Sequence, residues 1–317
     1  MRKAIKLRVV PDIIYVHDTF MTGIPGILGK YIKRCPLVLK LVGDMAWEVS
    51  QRHHWTSQNL TDFRAALPVR SHLLEIAQSQ VLAFCNKIIV PSRFLKELFK
   101  PWCNQEKIAI IPNAVEIDEN VQKADKAQIR AKLGLKGFNI LAAGRLVPWK
   151  GFDGLISIMP KLIKDYPTVQ LNIAGEGPLK PVLSSFIKKH DTTKHIRLLG
   201  GLERKQLLEY MRASDVFIMN SSYEGLSHTI IEAMGCEIPI IATKIGGNKE
   251  LIRHNWNGLL VDYNDKPQLE DAIRTIIENK TLVKYLVKNG EKTFKKFTWE
   301  NHIGKLLVLF HDIIQDV

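Results

Sequence analysis

The 317-residue chain contains no uninterrupted apolar run of the ~18 residues that a membrane-spanning helix requires. The stretch from Ile32 to Val42, for example, is interrupted by Lys33, Arg34 and Lys40. A secretory signal peptide ends in a cleavage site of small residues, and no such site follows the basic amino-terminal residues. The sequence therefore predicts neither a membrane span nor a secreted chain.

Cysteine is scarce, and the four cysteines form no Cys-x-x-Cys pair of the kind found in zinc and redox motifs. Cysteines scattered in this way are typical of packing residues in a reducing compartment. The positions are Cys35, Cys85, Cys103 and Cys236. A cytoplasmic location is the resulting prediction.

The overall composition, with 46% hydrophobic and 24% charged residues, excludes collagen-like and disordered classes and fits about two globular domains. Acidic residues are too few to balance the basic ones, and the net charge is +13. Residues 1–137 carry +9 (21 basic against 12 acidic), and residues 138–317 carry +4 (24 against 20). The excess suits a polyanionic partner, although a merely basic surface explains it equally well.

The second half of the chain alternates short β-rich runs with helical patterns, which is typical of βαβ units around a parallel sheet. The predicted strands are 138–143, 169–174, 196–199, 216–220, 238–242 and 258–261. The predicted helices are 152–164, 179–189, 203–212, 226–234, 248–252 and 268–278. The fold class predicted is α/β.

The first half repeats this pattern more weakly. Its predicted strands are 12–16, 37–42, 87–90 and 108–111, and its predicted helices are 24–32, 70–84 and 93–99. The polar stretch 118–137, with a short helix at 127–133, indicates a domain boundary. The sequence thus predicts domains at 1–137 and 138–298, and a terminal helix at 299–317 that packs back onto the amino-terminal domain.

Two loops carry the candidate chemistry, and each follows a predicted strand. In the first, Gly144-Arg145 and Lys150-Gly151 bracket a turn into a helix. An arginine five residues before a lysine on such a loop is suited to clamp a diphosphate, although two solvated surface cations are an equal alternative.

In the second loop, Glu224-Gly225-Leu226-Ser227 opens a helix that carries Glu232 two turns later. The free amides at a helix start favour a phosphate. A carboxylate can accept hydrogen bonds from two vicinal hydroxyls of a sugar. The alternative is a capping glutamate followed by an exposed one.

Together, about 80 residues apart and in this order, the two motifs resemble the retaining glycosyltransferases of family 4. Further matches are Ala174-Gly175-Glu176-Gly177-Pro178, Leu199-Gly200-Gly201, Ala213-Ser214-Asp215-Val216 and Gly246-Gly247-Asn248-Lys249-Glu250. The resemblance covers roughly residues 10–300. It implies the GT-B fold, in which two Rossmann-like parallel-sheet domains face each other.

The resemblance also implies roles for individual residues. Arg145 and Lys150 would bind the diphosphate of a nucleotide-sugar donor, Glu224 would contact the transferred sugar, and Glu232 would accept the ribose hydroxyls. The remaining donor-binding positions would be Gly144, Gly175, Leu202, Gly225, Leu226 and Ser227. No metal and no other cofactor is expected, and the sequence contains no Asp-x-Asp motif. The acidic stretches at 116–119 and 262–265 are predicted to serve linker and turn roles.

Two positions depart from the family pattern. The segment 11–17 resembles a later strand of the family's first domain, so about two opening βα units are expected to be missing and the amino-terminal domain to be incomplete. Self-association through the first ~60 residues is the expected consequence. At a strand end where many members have histidine, this chain has Asp44, which is predicted to orient the acceptor; alternatively, it caps the following turn.

The stretch 93–102 interleaves basic and aromatic residues and could dock an anionic membrane surface, so a peripheral position on the inner face of the membrane is considered. The alternative is that its aromatic residues pack into the domain. No nucleic-acid motif accompanies the basic charge, and no nucleic-acid partner is expected.

The resemblance therefore implies a metal-independent hexosyltransferase of polysaccharide or glycoconjugate biosynthesis, with a glycan, a lipid-linked sugar or another hydroxyl compound as acceptor. A non-catalytic nucleotide- or glycan-binding remnant of such an enzyme is the alternative. A nucleotide-sugar epimerase on the same fold is disfavoured because the helix with the paired glutamates belongs to the transferases.

Overall fold

The computed structural model describes residues 11–56, 58, 60–65 and 67–315. These residues form two compact units. The first unit holds the described residues up to Asn113 together with those from Trp299 onward, and the second is Ala114–Thr298. The chain thus passes from the first unit into the second and returns to the first for its last helix.

The first unit is built on a parallel sheet whose strands lie in chain order β1-β2-β3-β4. The strands are β1 (Ile14–Val16), β2 (Leu37–Lys40), β3 (Lys87–Val90) and β4 (Ile108–Ile110). The α-helices are Ile24–Lys33, Met45–Arg52, Leu60–Ala65, His72–Phe84, Arg93–Phe99 and Trp299–Gln315. Thr19–Gly23 is a π-helical turn, and Val69–Ser71, Lys100–Trp102 and Gln105–Lys107 are 3-10 turns.

Helices cover both faces of this sheet, which is why its central strands are almost entirely apolar. On one face Leu39 and Ile88 pack against Leu82 and Phe99. On the other face, the terminal helix Trp299–Gln315 contributes one side of its apolar residues, Ile313 among them, to a cluster with Val38, Ile89 and Ile111. His302 at the start of that helix places Nδ1 2.7 Å from the carbonyl oxygen of Pro112.

The second unit contains a parallel sheet with the strand order β10-β9-β8-β5-β6-β7. The strands are β5 (Phe138–Ala143), β6 (Val169–Ala174), β7 (Ile196–Gly200), β8 (Val216–Met219), β9 (Ile240–Thr243) and β10 (Leu259–Val261). The α-helices are Glu119–Lys123, Lys126–Lys132, Phe152–Asp165, Lys180–Lys189, Arg204–Ala213, His228–Gly235, Asn248–Leu251, Lys266–Glu278 and Lys280–Phe294. Pro148–Lys150 is a 3-10 turn. Both units confirm the α/β class.

The division into units differs from the predicted boundary at residue 137. Residues 114–137 lie with the second unit because Ile117 and Val121 are buried in one of its core clusters. Arg130 donates to the carbonyl oxygen of Ala213 and pairs with Asp215, both at 2.9 Å. Although residues 114–137 are polar overall, their few apolar side chains pack into the core of the second unit.

Local structure in the first unit departs from the sequence predictions between β2 and β3, and it also bears on the two alternatives for the stretch 93–102. The helices Met45–Arg52 and Leu60–Ala65 were not predicted. In the stretch 93–102, Leu95 and Phe99 are fully buried in the core, so the geometry supports the packing alternative rather than the membrane-docking one. Within the described residues, no helix is both long and apolar enough to cross a bilayer.

Candidate functional site

The order in which the chain adds strands to the second sheet reverses between β5 and β8, and we refer to this point as the change of direction. These strands are neighbours, with Ile140 opposite Val216, yet β6 and β7 extend the sheet to one side while β9 and β10 extend it to the other. The loops that leave β5 and β8 diverge at their carboxyl ends, and ligands of doubly wound sheets bind in the crevice at such a point. Both candidate loops of the sequence start here.

Two glycines hold the loops after β5 and β6 against each other. Gly144 has φ 152° and Gly175 has φ 144°, which L side chains rarely adopt. A Cβ on Gly175 would lie 1.9 Å from the carbonyl oxygen of Gly144. The amide of Gly175 in turn donates to the carbonyl oxygen of Gly200 after β7, at 2.7 Å. The loops after β5, β6 and β7 therefore pack closely at Gly144, Gly175 and Gly200, and we call this edge the glycine rim.

The loop after β5 places two cations at this rim. Arg145 is exposed, and its guanidinium carbon lies 5.5 Å from the ring centroid of the buried Trp149. Lys150 is only 18% exposed, and its Nζ lies 2.5 Å from Oε1 of Glu224, which is 12% exposed. The structure thus brings together two predicted site residues that are 74 positions apart.

Asn220 at the end of β8 fixes the lysine loop, and the sequence reasoning missed it. Its buried amide nitrogen donates to the carbonyl oxygen of Gly151 at 2.9 Å and to Oδ1 of Asn264 at 2.8 Å. The amide of Ser222 donates to the carbonyl oxygen of Trp149 at 2.8 Å. The available signal was a polar side chain directly after the apolar strand β8.

The turn after Glu224 was predicted to enter its helix near Leu226, but the helix is His228–Gly235. Ser227 determines this start because its side chain caps the helix by accepting from the amide of Ile230 at 3.2 Å. Gly225 and Leu226 therefore lie in the turn before the helix. That turn is held by Gly247, whose amide donates to the carbonyl oxygen of Glu224 at 2.9 Å.

Glu232 lies on the same helix, with its side chain 14% exposed. Burial raises the pKa of its carboxyl, and the nearby Arg204 acts in the opposite direction. Arg204 Nη2 lies 3.3 Å from Glu232 Oε1 and donates to the carbonyl oxygen of Glu116 at 2.7 Å. Arg204 was not singled out from the sequence, since it stands at the first turn of a helix outside every recognised motif.

Leu202 lies in the loop after β7, half-buried against an apolar cluster of the second unit. Glu176 ties this loop to the one after β6, since its Oε1 accepts from the amide of Gly201 at 3.2 Å and from Lys180 at 2.8 Å. Leu202, which is predicted to lie against the base of the nucleotide, is therefore next to the glycine rim.

Asp44 belongs to the first unit and is fully buried. Its Oδ1 accepts from the amide of Trp47 at 3.1 Å and from Gln78 at 3.3 Å, and its Oδ2 pairs with Arg64. Arg64 also pairs with Glu75. This geometry favours the capping alternative for Asp44, because each of its carboxylate oxygens has a partner inside the unit.

The acidic stretches of the second unit serve local structure. Asp118 accepts from the amide of Asn120 at 2.9 Å, and Asp265 accepts from the amide of Gln268 at 3.0 Å, each at a helix start. In the described part of the chain, no three His, Cys, Asp or Glu side chains are grouped so as to hold a metal ion.

Comparison with known proteins gives consistent results. A model of the family "Glycosyl transferases group 1" matches residues 125–293. An uncharacterized glycosyltransferase of Methanocaldococcus jannaschii is 32% identical over 72% of this chain and 60% of its own length. The alpha-monoglucosyldiacylglycerol synthase of Acholeplasma laidlawii is 25% identical over 99% of this chain and 78% of its own. The chain thus spans 60% to 78% of the length of these relatives.

Solved structures show the same architecture. Anabaena HepE in complex with UDP-glucose superimposes with a TM-score of 0.77 at 23% identity, over 96% of this chain and 79% of that one. The two parallel α/β units are those of the GT-B fold, as the sequence resemblance implied.

Proposed function

The chain belongs to the glycosyl transferases of group 1, and on that premise we propose that it moves a sugar from a nucleoside-diphosphate sugar to a hydroxyl acceptor. The observation that carries this proposal is the Lys150–Glu224 pair at the point where the second sheet changes direction. The relative's structure with UDP-glucose supports a donor of this class.

The cations of the first loop suit the leaving nucleotide. When the bond from the sugar to the diphosphate breaks, negative charge grows on the phosphate oxygens. In this proposal Arg145 and the largely shielded Lys150 stabilise that charge, and preorganised charges of this kind accelerate the reacting step. The glycine rim at Gly144 and Gly175 lets the phosphates approach backbone closely.

The glutamates suit the sugars of the donor. Glu224 holds Lys150 and has a second carboxylate oxygen for a hydroxyl of the transferred sugar. Glu232 is shielded from water and offers two oxygens to the vicinal hydroxyls of the ribose. Leu202 provides an apolar contact for the base.

We further propose transfer with retention, without a metal ion. The bond from the anomeric carbon to the phosphate breaks, the bond to the acceptor oxygen forms on the same face, and the acceptor proton passes to the leaving phosphate. The family resemblance supports this course. A hexose donor and a glycan or lipid-linked acceptor fit it, and one relative is named for a glucosyl lipid product.

The test is turnover with a panel of nucleoside-diphosphate hexoses and hydroxyl acceptors, with and without EDTA. Transfer that survives EDTA and yields the same anomeric configuration as the donor is expected. Saturable nucleotide binding without transfer to any acceptor would instead support a non-catalytic binding protein. Loss of transfer in EDTA, restored by a divalent ion, would contradict metal independence.

A further inference from the structure

The helix Ile24–Lys33 in the first unit is turned with its glycines toward the core. Gly26 is buried, and a Cβ there would lie 3.0 Å from side-chain atoms of both Leu37 and Val16. At Gly29, a Cβ would lie 3.0 Å from Ile14. The helix therefore lies close to the sheet through the side that carries its glycines, next to Ile27.

Most of the large apolar side chains of this helix, together with Met21 in the preceding π-helical turn, point outward, whereas Ile27 packs against the core. Met21, Ile24, Leu28, Tyr31 and Ile32 are between 44% and 81% exposed. Their spacing of three, four, three and one residues places them along one side of the helix. We call this set the outer stripe. A surface helix normally buries such a stripe, so its exposure indicates an interaction site.

The helix that carries most of the outer stripe has only basic charges, and the nearest acidic groups, Asp12 and Asp18, precede it. Residues 19–34 contain no Asp or Glu, and the helix ends in Lys30, Lys33 and Arg34. Lys30 donates to the carbonyl oxygen of Phe84 at 2.8 Å, and Lys107 donates to that of Ala83 at 3.0 Å, so both cations lie at the end of the neighbouring helix.

A shallow cavity of about 260 Å³ lies at the basic end of the helix. It is lined by Lys30, Tyr31 and Arg34, together with Asn86 and two smaller residues. Two cations, a phenol and an amide are groups that hydrogen-bond to a phosphate oxygen. The stripe thus ends in a polar lining that suits an anionic headgroup.

We propose that the outer stripe is a docking surface for an anionic lipid bilayer. The apolar side chains enter the boundary between headgroups and acyl chains, and the cations at the helix end contact lipid phosphates. Amphipathic helices with apolar and basic sides bind membranes in this way. A second copy of the chain is a poorer occupant, because two stripes face to face would bring like charges together.

The experiment is co-sedimentation of the full chain with phosphatidylcholine vesicles, with and without phosphatidylglycerol. We expect binding that requires phosphatidylglycerol and weakens with added salt. The double variant Leu28→Glu/Ile32→Glu should bind at least tenfold less tightly, since burying even one such apolar side chain raises the affinity roughly tenfold. Lys33→Gln/Arg34→Gln should bind about 25-fold less tightly at low salt, at roughly fivefold per cation.

Matched control variants lie on the exposed side of the helix Lys180–Lys189 in the second unit. Val182→Glu changes an apolar side chain that is 61% exposed, and Lys188→Gln/Lys189→Gln removes two neighbouring cations. Both should bind vesicles as the unchanged chain does. Because sedimentation requires no donor sugar, its outcome is independent of the proposed transfer.

Equal binding to both kinds of vesicle, or no binding to either, would overturn the proposal. So would an equal loss in the control variants. If light scattering shows a dimer that Leu28→Glu/Ile32→Glu dissociates, the stripe is an interface between copies and the bilayer assignment is wrong.

Discussion

Lys150→Met should separate the structural role of the Lys150–Glu224 pair from its role in transfer. The variant keeps most of the length of the side chain but leaves the Glu224 carboxylate, 12% exposed, without its cation. Breaking a fully buried pair costs about 3–5 kcal/mol. Because water reaches both of these groups in part, we expect a loss of about 1–3 kcal/mol in the free energy of unfolding.

The double variant Lys150→Met/Glu224→Gln should recover most of that stability, since no charge is then left unpaired. Transfer should fall on the order of 10²-fold in Lys150→Met and should not recover in the double variant, because the charge that stabilises the leaving phosphate is still missing. Urea unfolding and initial transfer rates measure the two effects. If stability and activity recover together, the lysine acts only through folding and its assignment to the donor phosphates is refuted.

Further predictions concern the remaining donor contacts and the division into units. Glu232→Gln should weaken nucleotide-sugar binding by about 1.5–3 kcal/mol in calorimetry, and unchanged affinity would remove Glu232 from the site. Donor affinity should fall as the pH drops through the raised pKa of Glu232, because the protonated carboxyl accepts hydrogen bonds poorly. Arg204→Gln should move that fall to higher pH, since the arginine opposes the effect of burial on this pKa. A pH profile that Arg204→Gln leaves unmoved would contradict the contact between the two side chains. Gly175→Ala should cost about 2–4 kcal/mol in urea unfolding, and a smaller loss would show that the glycine rim can relax. The isolated segment 114–298 should unfold cooperatively and bind nucleotide, whereas 137–298 should be less stable by about 3 kcal/mol or more; equal stabilities would place the boundary nearer residue 137.

The strands of the second unit could be predicted because buried parallel strands are continuous apolar runs. The predicted strands at 138–143 and 169–174 coincide with β5 and β6. The candidate loops followed from the strands, since they are the segments that leave the carboxyl edge. The Lys150–Glu224 contact itself could not be predicted, because no pattern in the sequence says which strands are neighbours across the change of direction.

The residues that were missed act through long-range contacts. Asn220 is a lone asparagine until its amide is seen between Gly151 and Asn264. Arg204 is an ordinary charged residue of a helix until the fold places it beside Glu232. For Asp44, the sequence left two roles open; its contact with the amide of Trp47 favours capping, and its pairing with Arg64, twenty residues later, could not be read from the sequence.

The prediction of the helix Ile24–Lys33 was correct in position but did not include its orientation. The helix predicted at 24–32 forms with nearly those bounds. The short contacts at Gly26 and Gly29 show that the sheet approaches the side of the helix that carries its glycines. The spacing of apolar residues does not reveal this orientation, because Ile24, Leu28, Tyr31 and Ile32 are exposed on another side of the helix.

The two passages of the chain between the units have a consequence for synthesis on the ribosome. The second unit begins at Ala114 and ends at Thr298, and the amide of Val115 donates to the carbonyl oxygen of Phe297 at 2.9 Å. With its two ends side by side, this unit is an insertion that a host domain tolerates. Domains fold as units while translation proceeds. We therefore expect the inserted unit to leave the ribosome before the host sheet receives the helix Trp299–Gln315, and the face of that sheet containing Val38 and Ile89 to lack this helix until then.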